Sequence, residues 1–188
     1  LLDDLAVDPS FRQRFKREAA AMAAADNRFL VSIYDYGYES TNGLCYIVME
    51  FVPGFDLKTM IDDNGPVPQK MAAKIGAQVC SALSSIHAAG ITHNDIKPAN
   101  VMIKPNGDAC VMDLGIFKPQ NAIDENTGNM VLGTVAYCSP EQCRGEQLTP
   151  CSDIYSLGIM LYEIVSGHVP FTGDDPIEVA TKQCDELP

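Results

Sequence analysis

No apolar run in this sequence reaches the roughly 18 residues of a membrane span, because Glu163 interrupts the best candidate. No basic-then-apolar leader opens it either, and the expectation is a globular, cytoplasmic protein, with a membrane tether outside this segment left open for the full-length form. Basic residues are scarce: 13 Lys and Arg stand against 25 Asp and Glu, a net charge of −12. That balance repels a phosphate backbone and sets nucleic acid aside as a partner. It leaves a solvated acidic surface, or attraction to peptides rich in Arg and Lys. The seven cysteines form no C-x-x-C pair and several lie in apolar stretches, so they read as reduced, partly buried thiols. Internal repeats and low-complexity linkers are absent. With no initiator Met the chain is expected to be a fragment, yet 188 residues at 46% hydrophobic content suffice for a packed core.

Chemistry-bearing residues concentrate in one stretch, Ile91 to Ile103, where His93, Asp95, Lys97 and Asn100 share a short loop between a helix and a strand. A carboxylate that can accept a hydroxyl proton, a neighbouring cation and an amide oxygen able to hold a metal are the parts of phosphoryl transfer. A second carboxylate, Asp113, follows an Asn106-Gly107 turn, and a tight hairpin would return it towards Asn100. In isolation such Asp and Asn residues signal turns or caps; their spacing here argues for a site.

Periodicity places the elements. Asp8-Pro9 reads as a helix start, with Phe11, Phe15, Met22 and Ala23 close to helical spacing. Val31 to Tyr38 and Leu44 to Phe51 alternate as antiparallel strands around Asn42-Gly43, and Pro53-Gly54 then breaks the pattern. Ala72, Ile75, Val79, Leu83 and Ile86 form a helical stripe closed by Gly90. Val101 to Ile103 and Cys110 to Met112 form a small hairpin. Residues 113 to 141 show little periodicity, a length typical of a functional loop. Ile154, Leu157, Ile159, Met160, Leu161, Ile164 and Val165 surround their helix on nearly all sides, which predicts a buried central helix ended by Gly167. Asp174-Asp175-Pro176 begins another.

The sequence His93-Asn94-Asp95-Ile96-Lys97-Pro98-Ala99-Asn100, followed by Asp113-Leu114-Gly115, Gly133-Thr134, Ser139-Pro140-Glu141 and Asp153 to Gly158, resembles the eukaryotic-type protein kinases. The wording of Phe15 to Ala19 and of Thr134 to Gln142 is similar to the bacterial serine/threonine kinases. The resemblance implies an α+β, two-lobed, truncated fold. Residues 1–51 would be a remnant small lobe with one helix and a β-hairpin, and residues 52–188 a mainly helical large lobe. The implied activity is transfer of the ATP γ-phosphoryl group to Ser or Thr hydroxyls of protein substrates. Its alternative is a pseudokinase or scaffold that uses the fold for interaction.

By the same resemblance, Asp95 orients and deprotonates the acceptor hydroxyl, Lys97 neutralises charge on the phosphoryl group, and Thr134 bridges the two. Asn100 and Asp113 would hold Mg²⁺. The backbone of Glu50 to Val52 would grip adenine, with Met49 behind it, Met102 as its floor and Asp56 reaching the ribose. Met49 equally reads as a core methionine, and Asp56 as the N-cap of the next helix. Glu18 would pair with a strand lysine that holds the phosphates; the plain alternative is a surface pair with Arg14. His93 reads as a structural brace, stacked with Met22, Ile33 and Leu114, and Leu114 in place of the usual Phe should not abolish activity.

Three departures stand out. No glycine-rich phosphate loop or strand lysine precedes Glu18, so this segment alone is expected to transfer phosphate poorly. The arginine that would pair with Glu141 is absent. Asn94 replaces the family's usual arginine, which removes the charge that clamps a phosphorylated activation segment and points instead to constitutive competence or to a switch elsewhere such as dimerisation, the alternative being that Lys118 or Arg144 substitutes for the arginine.

Overall fold

The computed structural model describes residues 9–39, 44–113 and 135–187. Phe15, Ala19 and Met22 recur at helical spacing on α1 (Pro9–Ala23) and are buried against the core. Ala23, expected on the same face, is exposed, because one further residue turns it about 100° away from that row. Asp8 and the side chain of Phe11 lie outside the described residues. Beside α1, β1 (Ile33–Glu39) and β2 (Leu44–Met49) pair antiparallel from Ile33↔Met49 to Glu39↔Leu44, with one irregularity between Ile33 and Asp35. Their connection at Asn42-Gly43 is outside the described residues.

Gly54 has φ 133, and a Cβ there would sit 2.0 Å from the Ile103 carbonyl oxygen, so glycine is required at this approach. Beyond it β3 (Phe55–Asp56), β4 (Val101–Ile103) and β5 (Ala109–Val111) form a second antiparallel sheet in that order. The segment before β1 is stitched to this sheet: Val31 N–H donates to Val111 O (3.0 Å), and Val111 N–H to Phe29 O (2.8 Å). The β4–β5 turn is tied down at Asp108, which meets Arg28 (2.7 Å) and Lys74 (3.0 Å) and accepts from Gln78 (2.8 Å).

The remaining elements are α2 (Leu57–Asn64), α3 (Gln69–Ala88), α4 (Pro140–Cys143), α5 (Pro150–Ser166) and α6 (Pro176–Asp185). Each boundary has a local cause. Asp56 caps α2, Ser139 and Gln142 form a capping box on α4, Thr149 precedes Pro150 at the start of α5, Gly167 (φ 84) ends it, and Asp175 caps α6. The predicted stripe on α3 is buried throughout and packs on α5 and β5. One core cluster runs from Phe15 and Met22 through Leu57, Ile75 and Leu83 to Met160 and Ile164. Each such side chain contributes about 1.5–3 kcal/mol by leaving water.

Helix α5 departs from expectation in part. Leu157, Met160 and Ile164 face the main core, and Ile159 packs with Tyr137 and Phe171. Ile154 and Val165, expected inside, are 51% and 45% exposed. No described element covers that side, and Leu161, Tyr162 and Val165 line a shallow apolar groove with Ala72, Ala73 and Gly76 of α3.

Candidate active site

Helix α3 delivers the loop. Gly90, at φ 75, turns the chain out of the helix, while Ile91 N–H still donates to Ile86 O (3.1 Å). The loop is then held from beneath by Asp153, a fully buried residue in the first turn of α5. One of its oxygens accepts from His93 N–H (2.8 Å) and contacts His87 Nε2 (2.7 Å), and the other accepts from Asn94 N–H (2.8 Å). Three contacts to one carboxylate fix the backbone on either side of the His93–Asn94 peptide.

His93 is buried and braces the next turn. Asp95 N–H donates to its Nδ1 (3.2 Å), so Nδ1 is an acceptor and the ring proton sits on Nε2, which donates to Met112 O (2.9 Å). Asn94 adopts φ 63, a left-handed conformation that asparagine tolerates better than most residues. Its carbonyl accepts from the Gln142 side chain (3.0 Å), tying the loop to α4. Ile96 is buried in the main core, and Pro98 is buried at the start of the 3₁₀ turn Pro98–Asn100 that leads into β4.

Asp95, Lys97 and Asn100 converge. Lys97 Nζ lies 3.1 Å from Asp95 Oδ2, and Asn100 Nδ2 donates both to that oxygen (2.7 Å) and to the Asp95 carbonyl (2.8 Å). With both amide protons directed at Asp95, the group Asn100 has left to offer is its carbonyl oxygen, a hard donor suited to Mg²⁺. Met112 is bound at both ends, its N–H to Asn100 O (2.8 Å) and its carbonyl to His93. Asp113, the next residue, is exposed and has φ 41. The hairpin thus returns a second carboxylate to the Asn100 end of the loop. No group of three or more His, Cys, Asp or Glu among the described residues is arranged to hold a metal. An Asn and an Asp fit an ion that takes its remaining ligands from water and phosphate.

The candidate nucleotide residues fall into two groups. Met49, Met102 and Met112 pack against buried Val31, Val52 and Cys110, forming a small apolar cluster apart from the main core. Glu50 N–H donates to Ser32 O (2.8 Å), and the Glu50 side chain lies 3.8 Å from Lys104. Asp56 caps α2, with its two oxygens accepting from the Thr59 N–H (2.8 Å) and hydroxyl (2.7 Å). Glu18 is half-buried on α1, 3.8 Å from Arg17. Burial raises its pKa, opposed by the charges of Arg14 and Arg17.

Leu114, Gly115, Thr127, Gly133 and Thr134 lie outside the described residues. Glu141 has a partner other than arginine: it accepts from the Ser152 hydroxyl. Asp153 and Gln142 were not singled out as site residues from the sequence. An acid in a first helical turn ordinarily reads as a partner of the helix dipole, and only burial reveals the anchor.

A helix-borne loop carrying Asp95, Lys97 and Asn100, with a hairpin that returns Asp113, defines a protein kinase domain. The protein kinase domain family matches residues 4–188, and the chain belongs to it. It is similar to the serine/threonine-protein kinase PknB of Mycolicibacterium smegmatis, 46% identical over 193 residues, covering 98% of this chain and 30% of that protein. To the PknB of Mycobacterium tuberculosis it is 44% identical over 191 residues, covering 98% and 30%. The chain therefore spans about 30% of the length of these relatives. A solved structure of Rad53 in complex with AMP-PNP matches with TM-score 0.72 and 29% identity, over 90% of this chain and 42% of that one. The fold is an α+β kinase fold. Among the described residues no helix is long and apolar enough to cross a membrane.

Proposed function

We propose that the protein carrying this chain is a serine/threonine protein kinase that binds ATP with Mg²⁺ and phosphorylates Ser or Thr hydroxyls of protein substrates. The observation that carries the reading is the Asp95–Lys97–Asn100 cluster, in which Asn100 spends both amide protons on Asp95 and keeps an oxygen for a cation. The PknB relatives named as serine/threonine kinases and the AMP-PNP of the Rad53 complex support it.

In this reading Asp95 accepts the proton of the attacking hydroxyl, and the Asn100 amide and Lys97 ammonium hold its carboxylate in place. Lys97 also faces the charge that builds on the transferred group, with Thr134 bridging it to Asp95. Asn100 Oδ1 and the Asp113 carboxylate would hold the cation. Bound Mg²⁺ would neutralise the phosphate oxygens and align them for in-line transfer. Adenine lies against Met49, Val52 and Met102, with the Glu50–Val52 backbone supplying its polar contacts. Asp56 reaches the ribose while still capping α2, since each of its oxygens can accept a further hydrogen bond beyond the one from Thr59, and Glu18 takes a lysine partner in place of Arg17. Residues 1–51 act as the small lobe and 52–188 as the large one.

Calorimetric titration with Mg²⁺ and AMP-PNP tests the assignments. Asp113→Ala should weaken Mg²⁺-dependent binding about tenfold or more, and Asp95→Asn should leave it within about twofold. Equal losses in both variants would refute the division of roles.

A further inference from the structure

Three thiols meet where α4 packs on α6. Cys138 and Cys143 are buried with Val135, Val179 and Ala180, and the partly exposed Cys184 packs against them. Cys143 and Cys138 share this cluster with Cys184 packed on it, and the neighbouring thiols raise the Cys143 pKa. Cys184 Sγ also lies 3.7 Å from the Pro140 carbonyl, which holds it over α4. None of the seven cysteines is in a disulfide.

Two uses of such a trio are set aside by the structure. The trio is not a cation site, since no described group of Cys, His, Asp or Glu has a metal-binding arrangement. Cys143 is not an activated nucleophile, since its thiol neighbours and burial push its pKa up. Thiol–disulfide chemistry remains, and it has a natural entry point. Cys184 alone of the three is open to solvent, and it already packs against the cluster that holds the other two.

We propose that Cys184 and Cys143 form a peroxide-responsive disulfide that staples α6 to α4. The Cys184 sulfur attacks a hydroperoxide, here hydrogen peroxide. The O–O bond breaks, and the products are a sulfenic acid and one water. The Cys143 sulfur then attacks the sulfenic sulfur; the S–O bond breaks, the S–S bond forms, and hydroxide leaves with the thiol proton as a second water. In total two thiols give up two electrons and two protons, and one peroxide is reduced to two waters. Contact, rather than acidity, makes Cys143 the resolving thiol.

The staple acts on a segment that α6 already grips. The Gln183 side chain donates to Ala136 O (2.6 Å), and Gln142, beside Cys143, holds the Asn94 carbonyl of the catalytic loop. Oxidation would lock residues 135–143 against α6, one hydrogen bond from Asp95's neighbour. Its consequence, slower phosphorylation of protein substrates, rests on the kinase reading; the disulfide itself does not.

The test is peroxide treatment of the chain, blocking of residual thiols and non-reducing peptide mass mapping. A Cys143–Cys184 cross-link should appear, vanish on adding dithiothreitol, persist in Cys80→Ser and Cys151→Ser, and be lost in Cys184→Ser. In Cys143→Ala the sulfenic acid should persist and be labelled at Cys184 by dimedone, a check that does not require the Cys184 variant to fold. A Cys138–Cys143 bond, sulfinic acid at Cys184 without cross-linking, or an unmodified Cys184 while Cys80 and Cys151 oxidise would each overturn the proposal. A cross-link that forms and leaves phosphoryl transfer to protein unchanged would refute only the kinase consequence.

Discussion

Asn94 carries two constraints at once: a left-handed backbone at φ 63, and an N–H and carbonyl that are both bonded, to Asp153 and Gln142. Asn94→Gly keeps the backbone groups and tolerates that φ, so its stability should change by only a few tenths of a kcal/mol. Asn94→Val should lose about 1–3 kcal/mol in urea unfolding. The side chain offers no charge to a phosphate, so kinase activity should survive phosphatase treatment. A large loss, restored by Glu at Thr127, would contradict that. Asp56 shows the limit of reading at this scale. Its sequence context fits a ribose contact and a helix cap equally well, and geometry shows the cap, with Thr59 at both oxygens. Asp56→Ala should cost about 1 kcal/mol of stability.

Elements are held to one another by a few buried or well-paired polar groups, and these were the least legible part of the sequence. The apolar stripe of α3 and the glycine end of α5 could be read directly, because each depends on neighbours in the chain. That Asp153 reaches across to His93, Asn94 and His87 depends on how α5 meets α3, which no local pattern encodes. Asp153→Ala strands two backbone N–H groups and should cost about 2–5 kcal/mol, with hydrogen exchange at His93 and Asn94 accelerating first. The Asp108 anchor predicts a pH effect. Its pKa is lowered to about 2 by hydrogen bonds from Lys74, Gln78 and Arg28. A depressed carboxylate stabilises the fold above its unfolded value near 3.8 and loses that contribution as pH falls towards 2. The stability gap between the protein and Asp108→Asn should therefore be constant above about pH 4 and close between pH 4 and 2.

Across the chain, motif order made the family and fold class legible, and the described core agrees with the periodicity of α3 and, Ala23 apart, with that of α1. The side of α5 bearing Ile154 and Val165 was misread, because an all-round apolar pattern shows what a helix can bury but not which described neighbours cover it. The site followed the same rule. Asp95, Lys97 and Asn100 are close in sequence and meet in space, whereas the anchors that present them come from α4 and α5. In the proposed reading this loop performs phosphoryl transfer. Its most direct measurement is transfer from γ-labelled ATP to a Ser/Thr protein acceptor by the protein carrying this chain, beside Asp95→Asn at matched nucleotide occupancy. Mg²⁺-dependent transfer should fall by about 10²–10⁴ in the variant; equal transfer by the two proteins, or none by either while Mg²⁺ and nucleotide are bound, would rule out that role for the loop.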